Sequence, residues 1–223
     1  MARLSIDMRR KPNPEQRRRE LCDVAIRLLA HDGVKGLSHL KVDRTAELPD
    51  GTTSFYFRTR SALMNAAAAR VAELDLKDLS AATVASEKSD RSSPASGLSN
   101  LVIRSASGAR LVRTKARNEL ALQGSRDTGL DEALSRNNEK FFALIRDVVV
   151  RLQPEGETDP ALVDEQAYAV MTFISGVMLA FNRGDHRIHT AAELEMLICG
   201  IVDGVGAAVR AANTPPIAKA RRR

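Results

Sequence analysis

The chain has no tryptophan, two tyrosines, six phenylalanines and two cysteines. Each shortage removes a class of protein. Cys22 and Cys199 stand far apart on helix-like patterns, so they read as buried thiols and not as a disulfide framework or redox pair. The most apolar stretch, AYAVMTFISGVMLAF at 167–181, falls short of the roughly 18 residues of a membrane span and includes Tyr168, Thr172 and Ser175. The first twenty residues are polar and basic, unlike a secretory signal. Together these features predict a soluble, cytoplasmic protein with no membrane partner. Alternating runs bounded by Asn-Gly or Asp-Gly turns are missing, so strands are not expected. There is no phosphate-cradling glycine loop, no GxSxG elbow and no HExxH pair. His186 and His189 have i, i+3 spacing but lie in a Gly/Asp-flanked break without a clear third ligand. No catalytic residue, metal or cofactor is expected.

What remains is charge and helical periodicity. Residues 1–60 carry 13 Lys/Arg against 8 Asp/Glu, residues 61–213 carry 17 against 20, and the tail from 214 adds four bases. A basic head on a mildly acidic body suits a polyanionic partner or a solvated surface. Arg3, Arg9, Arg10 and Lys11 in the N-terminal arm, and Lys219 to Arg223 in the tail, would add nonspecific attraction to such a polyanion. Leu21, Val24, Ala25, Leu28 and Leu29 form one helical stripe, with Pro14 suited to its first turn and Gly33 to its stop. A short helix follows from about His39 to Ala46 with Ser38 as N-cap. Glu47 to Pro49 breaks it, and another short helix runs from near Pro49 to about Phe57. A long helix begins near Ser61. After a Ser-rich break at 86–97 come helices over about 98–107, 109–123, 130–152, 160–183 and 190–212, the last opened by a Thr190/Glu193 capping box. The fold class is all-α, about nine helices.

Two short helices joined by a tight turn, behind a longer supporting helix, make a helix-turn-helix. The second short helix, from DGTTSFYF at 50–57, would enter the major groove. Thr53 and Phe57, at i, i+4, share its packing face. Gly51 leaves backbone N–H groups open to a phosphate. Thr52 and Ser54 suit bases or phosphates, and the Tyr56 hydroxyl suits a phosphate oxygen. Asp50 fits a helix start through the macrodipole, or the amino group of a cytosine.

Residues 15–65 resemble the DNA-binding domain of the tetracycline-repressor (TetR-type) family of bacterial transcriptional regulators. The resemblance is carried by AIRLLAHDGVKGLS, KVDRTAELPDGTTSFYF and RTRSALM. Gly51, Thr52, Phe57, Arg58, Arg60 and Leu63 match the family pattern. Pro49 replaces its usual serine, Asp50 a frequently basic residue, and Asp43 a small one; Asp43 is expected to pair with a basic neighbour. The resemblance implies a DNA-facing set of Ser38, His39, Lys41, Pro49, Asp50, Gly51, Thr52, Ser54, Phe55, Tyr56 and Arg60. It implies a DNA-binding head over 1–60, an effector-binding and dimerisation body over 61–213, and a basic tail over 214–223. The expected function is a homodimeric regulator of a double-stranded DNA operator, a repressor released by a small-molecule effector. A helical protein-binding scaffold is the alternative.

In such a body, Phe141, Phe142, Tyr168, Met171 and Phe173 are candidate liners of an effector pocket, with Arg113, Arg117 or Glu119 as polar anchors. Each also fits plain core or a solvated face. Gly200 and Gly204 lie four apart on the last helix, where glycine costs roughly 1 kcal/mol against alanine. Close approach by a second subunit would explain them, with Met178 and Phe181 in the same interface.

Overall fold

The computed structural model of the chain describes residues 13–87, 93–154 and 159–213. The basic arm and tail, and part of the Ser-rich break, lie outside the described residues. Among the described residues there are nine α-helices and no strand. They are α1 (Pro14–Gly36), α2 (His39–Thr45), α3 (Thr52–Tyr56), α4 (Arg60–Glu87), α5 (Ser96–Arg104), α6 (Gly108–Gly124), α7 (Thr128–Leu152), α8 (Pro160–Asn182) and α9 (Ala191–Asn213). No described helix is long and apolar enough to cross a membrane.

Local chemistry sets most boundaries. The Asn13 side chain accepts from Gln16 N at 2.8 Å and starts α1, with Pro14 in its first turn. Gly33 adopts φ 65° and ψ −174°, a conformation outside the helical region, so it breaks α1 as its position suggested. Ser38 caps α2 by accepting from Lys41 N. Asp127 and Asp159 cap α7 and α8 in the same manner. Thr190 and Glu193 form the expected reciprocal box, with bonds of 3.2 and 3.1 Å.

Two boundaries differ from the expectation: α5 ends at Arg104 and not near 107, and α3 starts late. The helix anticipated from Pro49 begins only at Thr52, because Gly51 takes φ 95° and a left-handed residue cannot sit inside a right-handed helix. The α2–α3 link therefore runs over 46–51, and Glu47 also has positive φ there.

Two apolar clusters form the core. The first joins α1, α2 and Phe57 to Leu63, Met64, Ala67, Ala68 and Val71 of α4, then to Ala116 and Leu120 of α6 and Leu130 of α7. The second joins α5, α7, α8 and α9 around Val149, Val170, Phe181, Leu194 and Ile198. A fully buried leucine contributes roughly 2 kcal/mol. Leu21, Leu29, Leu37 and Leu63, all almost inaccessible, therefore anchor α1 and the start of α4 as one body. The helix pair α2–α3 sits on that body, away from the second cluster.

Candidate nucleic-acid interface and effector cavity

Helix α3 has five residues, too few to be stable alone. Its hold comes from Asp43 on α2. That carboxylate is completely buried and sits under the start of α3. One oxygen accepts from Gly51 N at 2.8 Å; the other accepts from Thr53 N at 2.7 Å and from the Thr53 hydroxyl. Among the described residues Asp43 thus pairs with no basic neighbour, contrary to the expectation. It supplies the cap that Pro49 cannot, from across the turn. The same bonds occupy the Gly51 and Thr53 N–H groups, and Thr52 N donates to Pro49 O at 3.1 Å. The Gly51, Thr52 and Thr53 N–H groups expected to be open to a phosphate are thus already bonded, two of them to a carboxylate.

Thr53 and Phe57 are buried as the i, i+4 spacing indicated. His39 Nε2 donates to Phe57 O at 2.8 Å and ties the end of α3 to α2. On the outer face, Ser54 is exposed and the Phe55 ring is 79% exposed. Tyr56 is half-buried, edge-on to Phe55 with centroids 5.2 Å apart, and the Arg18 guanidinium lies 5.8 Å from its ring. Asp50 lies 3.8 Å from Arg44, both well exposed. Thr52 turns its hydroxyl back to Pro49 O at 2.7 Å, and Lys41 pairs with Asp32 at 2.8 Å.

Arg60, expected on the DNA-facing side, donates to Leu37 O at 2.9 Å and to Val34 O, satisfying carbonyls at the end of α1. These bonds clamp α1 to α4. Glu119, expected in the effector pocket, accepts from Val34 N at 3.3 Å and belongs to the same junction.

The body encloses about 740 Å³ of empty space, part of it open to solvent, between α4, α5, α6, α7 and α8. Arg113, Arg117, Phe141 and Met171 line it, as anticipated. Phe142 packs on the second core cluster, Tyr168 is 69% exposed, and Phe173 borders a separate depression with Phe181 and Ile188. Met178, expected at the dimer interface, lines the cavity; Phe181, expected there too, is buried in the second core. Gly200 and Gly204 are exposed, and no atom comes within 4 Å of where a Cβ would sit.

The sequence reading missed the cavity's acids and its amide. Asp75 and Asp78 project from α4 onto Arg110, Arg113 and Arg117 of α6. Arg110 bonds both oxygens of Asp78 at 2.8 and 2.9 Å; Arg113 reaches Asp75 at 3.2 Å and also Asp78; Arg117 reaches Asp75. Burial pushes the Asp78 carboxyl upward, but the two guanidinium groups outweigh it and hold its pKa below the ordinary aspartate range. The i, i+3 acids on one helix and the i, i+3, i+7 bases on another are legible as spacings, although their pairing is not. Asn137 is nine-tenths buried, and its Oδ1 has no partner. Among the described residues no group of three His, Cys, Asp or Glu is placed to hold a metal.

Neither a family model nor a curated protein matches the sequence. Solved structures do. A transcriptional regulator from Pseudomonas aeruginosa superposes with a TM-score of 0.72 at 19% identity, over 91% of this chain and 96% of that one. A TetR-family member from Streptomyces coelicolor gives 0.66 at 23% identity, over 85% and 98%. The multidrug binding protein EbrR, solved with ethidium, gives 0.62 at 23%, over 86% and 99%. The all-helical fold of the TetR-family transcriptional regulators is therefore the fold of this chain.

Proposed function

We propose that the protein is a homodimeric, DNA-binding transcriptional regulator, a repressor released from a palindromic operator by a small molecule. The observation that carries this reading is the outer face of α3. Ser54 and the almost fully exposed Phe55 ring project from a helix that Asp43 fixes from beneath. The exposed Phe55 ring is free to make an apolar contact with thymine methyl groups. Tyr56 adds a hydroxyl for a phosphate, and Asp50 an acceptor for a cytosine amino group.

The head is assigned to 1–60 and the effector-binding and dimerisation body to 61–213. A second copy would cover α8 and α9, where Leu179, Met196 and Leu197 are exposed beside Gly200 and Gly204. The subunit itself supplies no packing reason for those glycines. The cavity between α4 and α8 is the effector site of this reading, and a cytoplasmic location goes with it. By linkage, an effector that binds better to a form with wrongly spaced heads weakens operator binding by the same factor.

The test is selection of bound sequences from a random DNA pool with the full chain. Enrichment of a palindrome with half-sites about one helical turn, or a multiple, apart supports the reading. Binding should also weaken steeply with salt. No enrichment, or an affinity indifferent to salt, sinks it in favour of a protein-binding scaffold.

A further inference from the structure

We infer that the cavity takes an amphipathic monoanion, an apolar body bearing one carboxylate, anchored by Arg117. The inference rests on reading this cavity as the effector site.

The ion cluster at the cavity is unequal. Asp75 and Asp78 are the acids that line the cavity, and their oxygens are all engaged by Arg110, Arg113 and Arg117. The lining itself holds two carboxylates against Arg113 and Arg117, and Arg110 closes the ion cluster from outside it, so the cluster of two acids and three bases carries one net positive charge. At the cavity, the guanidinium with donors to spare is that of Arg117. Arg117 gives one terminal nitrogen to Asp75 and sets the other 3.9 Å from Met178 sulfur, while its buried Nε has no partner. A buried unpaired donor on a charged group is costly, and a ligand carboxylate toward which the guanidinium turns would satisfy both it and the charge.

Asn137 supplies a second polar point. Its unpartnered amide end accepts from a ligand hydroxyl or, turned over, donates to an oxygen. The remaining wall is apolar, with Leu98, Val102, Phe141, Ile145 and Ile174, and would take the hydrocarbon part. A cation meets the opposite situation: every carboxylate oxygen at the cavity is already engaged by a guanidinium.

The test uses three probes with the same chain, octanoate, octanol and octylammonium, measured by calorimetry on the full-length protein with and without its selected operator. Octanoate should bind about tenfold or more tighter than octanol, the worth of a charge-assisted hydrogen bond, with octylammonium weakest. Arg117→Gln should erase the difference between octanoate and octanol. Should that variant fail to fold, Arg117→Lys keeps an ion pair with Asp75, lacks Nε and should narrow the difference. Ile174→Trp, which fills the apolar side, should abolish binding and so exclude surface adsorption. Equal or tighter binding of octanol or octylammonium, or binding of none, overturns the inference. Octylammonium that binds and releases operator would overturn it while leaving the effector site intact. Octanoate that binds preferentially without releasing operator would uphold it and sink the effector reading.

Discussion

Replacing Asp43 with alanine removes the carboxylate that accepts three hydrogen bonds at the start of α3. Bonds to a charged group contribute roughly 1.5–3 kcal/mol each, and a lost N-cap alone costs about 1 kcal/mol. The sum is not additive. Removing a fully buried carboxylate also relieves its desolvation cost, and water can reach the Gly51 N–H. The net loss should be about 2–3 kcal/mol, read as a lower urea midpoint at unchanged slope. Operator affinity should fall too at temperatures where the chain is still folded, because α3 loses its orientation. Asp43→Asn should lie between: Oδ1 still serves Thr53, but an NH2 group now faces the Gly51 N–H. In a double-mutant cycle with Thr53→Val, the double variant should cost about 1 kcal/mol less than the sum of the singles. If Asp43→Ala changes stability by less than about 0.5 kcal/mol and leaves affinity intact, packing of Thr53 and Phe57 holds α3 and the capping argument is wrong.

Phe55→Ala should leave stability within about 0.5 kcal/mol, since the ring is exposed, while fluorescence anisotropy reports weaker operator binding; unchanged affinity would remove Phe55 from the interface. Asp50→Ala should relax base preference at one position per half-site; an unaltered selected sequence would reduce Asp50 to a partner of Arg44. In acid, the contribution of Asp78 is fully present above the ordinary aspartate range and is lost as pH falls through that range to its lowered pKa. The melting temperature of Asp78→Asn should therefore depend less on pH in that window than that of the parent chain; parallel profiles would refute this. Burial first, then the charge of Asp23, push the Cys22 thiol up to about 11. A thiol reagent at pH 8 should consequently spare Cys22 in the folded chain and label it on unfolding, with mass spectrometry locating the adduct.

Elements written in periodicity or in adjacent residues were legible in the sequence. The stripe of α1, the break at Gly33, the Ser38 cap and the Thr190/Glu193 box are local, and the structure carries each. The start of α3 was missed by three residues because it depends on the sign of one φ angle at Gly51. Asp43 escaped because its partners lie eight and ten residues away across a turn, where no spacing rule applies. Aromatic type alone sorted the cavity poorly. Tyr168 follows buried Ala167 and so points about 100° away from the core, while Phe181 continues the buried stripe of Val170, Ile174 and Val177. The arginines were legible as anchors, yet the acids opposite them were not, since pairing between α4 and α6 is a tertiary fact.

The two arginines that bind α4 to α1 bear on how a motion would travel. Arg60 grips the carbonyls at the end of α1, and Arg70, one side of the same helix later, holds Asp23 at 2.9 and 3.2 Å. Between them Leu63 and Ala67, and next to Arg70 Val71, are buried in the cluster shared with α1. This stretch of α4 is a shaft keyed at both ends. Asp75 stands five residues beyond Arg70, about 7.5 Å along the helix. The cavity acids and the seam with α1 therefore stand on one continuous helix, and α6, which carries the arginines opposite those acids, packs on α1 as well.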